Sequence, residues 1–265
     1  MRFYVAGYED HPPSIKITPE AKYMLGSYFK FRTSKYGDYK EYHKKKDIFD
    51  GRVRFLDSGA FSAYFQKKPI DIEHYASFLK ENKDVLEVYA NLDVIGDPKA
   101  TEQNQRFLES KGLNPLPTFH YGSDIKFLKK ILKEYRYFAL GGLVPIAKRK
   151  KALQDWLDYC FNEIIKTVPL PMVHGFGLSS YWAWERYPLF STDSTAWLSV
   201  GKYGSSIKYK NGRASSDDKN SNRMMNFQLK QDKGYIQLQH NAILTYLKMA
   251  DQATKLWKHR GVNWK

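Results

Sequence analysis

The feature that most restricts the fold of this 265-residue chain is a rhythm. Short apolar runs rich in β-branched and aromatic residues alternate with longer stretches whose apolar residues recur at i, i+3 and i+4. Strands alternating with amphipathic helices imply repeated βα units and a parallel sheet covered by helices. The runs at residues 2–6, 53–57, 85–93, 116–120, 137–140, 172–175 and 190–193 read as strands. Helical spacing occupies residues 72–82, 98–111, 124–135 and 150–167. An eighth strand near residues 235–238, followed by a helix over 242–258, would close a barrel.

An open, doubly wound sheet shares this alternation, and the position of the polar residues separates the two. Asp57, Asp93, His120, His174 and Asp193 stand at or near the C-terminal ends of five different runs. A barrel gathers its site from many such ends, whereas an open sheet concentrates it at one crevice. The expected fold is therefore α/β, a (β/α)8 TIM-type barrel forming a single domain over residues 1–265. With 42% hydrophobic residues the chain can fill such a core.

Two segments interrupt the rhythm, and both are basic. Residues 28–54 and 201–233 each carry a net charge of +5 by count, within a chain of formal charge +15, and interleave Tyr or Phe with the cations. Cations and aromatics together suit a phosphate backbone and stacked bases, so Lys44, Lys45, Lys46, Lys202, Lys208, Lys210 and Arg213 are candidate nucleic-acid contacts. Each segment taken alone also reads as an ordinary solvated insertion.

Cys160 is the only cysteine, which excludes an intramolecular disulfide and a Cys-rich zinc module. A reducing cytoplasm fits. The opening MRFYVAGYEDHPPS lacks an apolar leader, and no run of about 18 apolar residues occurs, so a soluble, unprocessed protein without a membrane partner is expected.

Five motifs carry candidate chemistry. LDSGAFSAY puts Asp57 at a strand end with Phe61 as an aromatic platform, although an Asp there also serves as a helix cap. FSTDSTAWL surrounds Asp193 with Ser191, Thr192, Ser194 and Thr195, hydroxyls able to hold a carboxylate ionised; a cap is again the alternative. YANLDVIGDP places Asp93 at a strand end and assigns Asp97 to the next helix start. FALGGLVP offers Gly141 and Gly142, where a flat base could meet the backbone. MVHGFGLSSYWAWERYP leaves His174 open among base contact, acid/base group and core histidine. Two carboxylates on separate strand ends suffice for displacement at an anomeric carbon, one attacking and one managing the proton.

In this order, DSGAF, an Asp-bearing strand end, GGL, HGFG and STDS resemble the guanine transglycosylase family, over roughly residues 53–198. The similarity is to the tRNA-guanine enzymes and, more closely, to phage-encoded relatives that insert 7-deazaguanines into DNA. The resemblance implies Asp193 as nucleophile, Asp57 as acid/base group, Phe61 stacking on the base, and Asp93 and Gly142 contacting it. His120 or Tyr121 falls where the tRNA enzymes read the base with a glutamine. It implies no cofactor, a free 7-deazaguanine such as preQ0 as second substrate, and host cytoplasm for a phage protein. The tRNA enzymes hold a zinc through three Cys and a His; one cysteine cannot, so no zinc subdomain and no metal are expected, and the implied polymer shifts from tRNA to DNA. A protein partner that opens the duplex is compatible with this reading. The rival readings are the same exchange on tRNA, a non-catalytic nucleic-acid-binding subunit, and a metal-dependent barrel hydrolase built on Asp57, His120, His174 and Asp193.

Overall fold

The structure, a computed structural model, describes residues 1–7, 12–33, 51–203, 207–210, 213–216 and 234–264. It opens with β1 (Arg2–Ala6), α1 (Pro12–Lys16), β2 (Met24–Ser27), α2 (Tyr28–Thr33) and β3 (Val53–Asp57). Two helices follow, α3 (Ala60–Phe65) and α4 (Ile72–Asn82), then β4 (Val88–Tyr89), α5 (Pro98–Ser110) and β5 (Thr118–His120). The second half runs α6 (Ile125–Glu134), β6 (Tyr137–Gly141), α7 (Lys150–Ile164), β7 (Met172–Gly175), α8 (Tyr181–Arg186) and β8 (Ser191–Ser194). After α9 (Ala196–Tyr203) come the hairpin strands β9 (Ile207–Lys210) and β10 (Arg213–Ser216), and the long C-terminal α10 (Gly234–His259).

Strands β1 to β8 form one all-parallel sheet in the order β4-β3-β2-β1-β8-β7-β6-β5. Its two ends meet. Ala90 and Leu116 form a parallel bridge, the Leu116 N–H donates to Tyr89 O at 2.8 Å, and the Asn91 N–H donates to Leu116 O at 3.0 Å. The chain therefore visits neighbouring strands in sequence around a closed wall, the (β/α)8 arrangement.

Period-two alternation sorts the side chains. Tyr4, Ala6, Phe55, Ala90, Leu116 and Ala139 pack with one another inside the wall, while Phe3, Val5, Leu56, Phe119 and Phe138 join the larger core against the helices. One irregularity re-aims a functional strand. Met24 pairs with Val53 but Leu25 with Phe55, so Arg54 is an extra residue opposite β2. This bulge turns Phe55 inward, and Asp57, two residues on, with it. Aspartates start three of the helices: Asp71, Asp97 and Asp124 are N-caps of α4, α5 and α6, each accepting a backbone N–H of the first turn.

Two expectations are corrected. The eighth strand is β2, MLGS, and residues 235–238 are the first turns of α10. There Leu238 keeps helical register with Ala242, Ile243 and Tyr246, three residues that are buried. The run expected at 85–93 pairs as a strand only over Val88–Tyr89. The basic segments also differ from unbroken insertions. Residues 28–33 are α2 and 53–54 open β3, while Lys202 lies in α9, Lys208 and Lys210 in β9, and Arg213, paired with Lys210, in β10. Lys44, Lys45 and Lys46 lie outside the described residues.

α10 fastens the chain ends together. The Met1 ammonium donates to Thr254 Oγ1 at 2.6 Å, Phe3 stacks on Tyr246 at 5.0 Å, and Trp257 Nε1 donates to Trp184 O at 2.7 Å. Among the described residues no helix is long and apolar enough to cross a membrane.

Candidate active site

Because all eight strands run the same way, their C-terminal ends open on one face, and the candidate residues converge there. Asp57 ends β3, Asp93 follows β4, His120 ends β5, Gly141 ends β6, His174 lies in β7 and Asp193 in β8.

The β7–β8 side is a closed network. Asp193 Oδ1 accepts the Gly177 N–H at 2.8 Å and stands 3.3 Å from His174 Nε2, while His174 Nδ1 is 2.8 Å from Ser191 Oγ and Ser191 Oγ 2.7 Å from Tyr137 OH. A carboxylate only accepts, so Nε2 is the donor. A neutral ring then takes the Ser191 proton at Nδ1, and Tyr137 donates to Ser191. The imidazole is wholly buried, against Phe55 at 4.7 Å and Phe176 at 4.6 Å between ring centroids. Of the three roles open to His174 in the sequence, its surroundings match a buried, fully partnered histidine that orients a carboxylate. Burial pushes the Tyr137 phenol pKa up, so it remains a donor. Gly177 adopts a left-handed φ of 64°, and this turn aims its N–H at Asp193.

The hydroxyls flanking Asp193 act differently from expectation. Ser191 reaches the carboxylate only through His174. Thr192 Oγ1 lies 2.7 Å from the carbonyls of Gly175 and Leu178, and Ser194 Oγ accepts the Ala196 N–H at 3.0 Å, capping α9. Alternation is the cause, since Thr192 and Ser194 face away from the side on which Ser191 and Asp193 lie. The capping duty considered for Asp193 thus belongs to Ser194, and the N-cap of α3 is Gly59.

The β4–β5 side holds a second carboxylate–histidine pair with unfilled valences. Asp93 Oδ2 is 3.1 Å from His120 Nε2. Among the described residues Asp93 Oδ1 is buried without a hydrogen-bond partner, as are Asn91 Oδ1 and Thr118 Oγ1. Burial opposes protonation of His120, but the adjacent Asp93 charge outweighs it and raises the His120 pKa above 6.5. Tyr75, buried beneath, donates to Ala90 O at 2.7 Å; burial first, then the charges of Asp57 and Asp93, hold its pKa well above 10. Both carboxylates therefore lie within electrostatic reach of one phenol.

The remaining candidates divide. His120 faces Asp93, whereas Tyr121 points outward and packs edge-on against Trp156 at 5.1 Å. At Gly141 a Cβ would fall 2.7 Å from Thr118 Cγ2 and 2.8 Å from His120 Cδ2, so this glycine gives His120 its room. Gly142 is left-handed at φ 70°. Phe61 lies on α3, partly exposed. An open cavity of about 350 Å³ beside the mouth is lined by Asp93, Leu92, Ala60, Ala63, Tyr64 and Lys67 among others, within the size range of small-ligand sites. Among the described residues no three His, Cys, Asp or Glu converge as metal ligands would.

Sequence reading missed the layer beneath the named residues: Ser191, Tyr137, Thr118, Asn91 and Tyr75. The signal was available for two of them, because Ser191 and Thr118 stand two residues before Asp193 and His120 and so share their face of the wall, whereas Asn91 follows the end of β4 and donates to Thr101 O on α5.

Fold and site together define a (β/α)8 barrel with two carboxylate–histidine pairs and a third carboxylate at its C-terminal mouth. No protein-family model matches the chain, and no curated protein is similar to it in sequence.

Proposed function

We propose that the protein exchanges guanine in a nucleic acid, with DNA as the polymer, for a free 7-deazaguanine by double displacement. The observation that carries this reading is the mounting of Asp193. Oδ1 takes both the Gly177 N–H and the His174 Nε2–H, which fixes the carboxylate's orientation and leaves Oδ2 as the attacking atom. In the first displacement the C1′–Oδ2 bond forms as the C1′–N9 bond breaks, and Asp57 gives a proton to the departing base. The incoming base then attacks C1′ through N9, gives its proton to Asp57 and frees Asp193. Two inversions retain configuration.

Asp93 supports the same reading from the other side. A purine with an N1–H and an exocyclic amine offers the donors that its unpaired Oδ1 lacks, and in a buried site that pairing discriminates strongly. A formal charge of +15 favours a polyanionic substrate.

The test is incubation of the purified protein with labelled guanine and either DNA or tRNA. Label is expected in DNA; label in tRNA alone would move the polymer, and label in neither would overturn the chemistry. Asp193→Asn is expected to lower exchange by at least about 10³-fold and to abolish any covalent adduct trapped without incoming base.

A further inference from the structure

Helix α3 is built inside out. Its buried positions are Ala60 and Ala63, while Phe61, Tyr64 and Phe65 are 37%, 59% and 62% exposed. A surface helix ordinarily turns its large apolar residues inward, and contiguous exposed apolar groups mark interaction sites. The three rings touch: Phe61 and Phe65 at 4.6 Å between centroids, Tyr64 and Phe65 at 5.4 Å. They make one strip running from the mouth outward.

The helix's C-terminus carries a second anomaly. The Lys67 N–H donates to Tyr64 O at 3.2 Å and the Lys68 N–H to Ala63 O at 3.0 Å, a capping geometry whose left-handed position normally holds glycine. Here it holds Lys67 at φ 53°, the one non-glycine residue with positive φ among the described residues. An L-residue is strained there, so a cation occupies this point at some expense of stability. Lys67 also lines the cavity that contains Asp93.

Exposed aromatics followed one residue later by two lysines match a single nucleic-acid strand better than other occupants. Bases stack on rings irrespective of sequence, and ammonium groups neutralise phosphate. Protein interfaces are depleted in lysine, and a six-residue helix is too short to lie in a lipid surface. We propose that Phe65 and Tyr64 extend the Phe61 platform into a stacking ledge. On it rest the bases flanking the target nucleotide of a single-stranded or opened nucleic acid, with their phosphates at Lys67 and Lys68. The choice of target nucleotide rests on the transglycosylase reading; the ledge itself does not.

The experiment is fluorescence anisotropy with the full chain and a labelled single-stranded oligodeoxynucleotide of about 12 nucleotides, beside its duplex. Tyr64→Ser with Phe65→Ser is expected to weaken single-strand binding about tenfold or more. Lys67→Gly separates function from structure: it is expected to raise thermal stability while weakening binding and lowering the slope of log K against log salt by about 0.7. Unchanged binding in both variants overturns the ledge. So does unchanged binding with lost stability or a shift in oligomeric state, which would mean that protein covers the strip. Exchange by the wild type with ledge variants binding normally sinks the ledge and leaves the transglycosylase reading; ledge-dependent binding without exchange does the reverse.

Discussion

The barrel mouth contains the same pair twice, and the two copies are finished differently. Asp193 with His174 sits at 3.3 Å and Asp93 with His120 at 3.1 Å, each through Nε2. Behind His174 the bonds continue through Ser191 to Tyr137, and Gly177 adds a backbone donor to Asp193. On the side of the second pair, among the described residues, Asp93 Oδ1 and Thr118 Oγ1, two residues before His120, are buried and unpaired. An unpaired buried acceptor costs about 1–3 kcal/mol, so the second pair is carried as an expense of the fold, whereas in the first both ring nitrogens of His174 are partnered and Asp193 Oδ1 takes two donors. A carboxylate held by two donors on one oxygen is fixed in position. One with an open valence gains most when a donor arrives. The difference fits a division of labour in which one pair presents a nucleophile and the other receives a base.

The largest effect expected from this contrast is on stability. His174→Ala should remove a wholly buried ring packed against Phe55 and Phe176 and strand Ser191, Tyr137 and Asp193, costing about 2–4 kcal/mol in denaturant unfolding. His120→Ala should cost less, because the network around it is already incomplete and its side chain retains some exposure. Equal losses, or a larger loss at His120, would break the contrast.

Ligand binding should invert that ranking. Asp93→Asn replaces an acceptor by a mixed donor and acceptor, and is expected to weaken guanine about 10–100-fold by calorimetry. Asp193→Asn should leave the affinity within about threefold, because in the proposed exchange its role lies in bond making. A base that binds equally well to both variants would show that the unpaired Oδ1 is not where it docks.

How far the sequence disclosed this site depends on which part of a strand carries the information. Strand ends were legible because Asp57 and His120 close largely apolar runs, where a carboxylate or imidazole contrasts with its neighbours, while Asp193 stood out as the one carboxylate among the hydroxyls of FSTDST. The supporting layer was not, since Ser191, Thr118 and Tyr137 are commonplace in strands, and only the sheet order, with β7 between them, sets Tyr137 of β6 near Ser191 of β8. The fold shows a similar limit. β2 is four residues containing Gly26, too short and weakly apolar to stand out, and it exists because β1 and β3 pair with it on either side. The start of α10 has β-like composition in Tyr235, Ile236 and Leu238, but packing in register with Ala242 and Tyr246 makes it helix. His120 rather than Tyr121 facing Asp93 follows from a parity that the sequence fixes only once the strand's inner face is known.

The smallest effect expected is a shift in one titration, and its sign tests the electrostatics of the open pair. Burial alone would push His120 below 6.5; the Asp93 charge reverses this and raises it. A raised folded value means that the protonated pair stabilises the fold fully below the unfolded value of 6.5, and that this contribution is lost as pH rises through the folded value. The His120 ring resonance followed by NMR should therefore titrate above 6.5 in the wild type. In Asp93→Asn, where burial is left unopposed, it should titrate below. Correspondingly, Asp93→Asn should lose more stability near pH 5 than near pH 9. A midpoint that stays put on removing the charge would mean that His120 does not sense Asp93, and the two pairs would then differ in more than their unpaired oxygens.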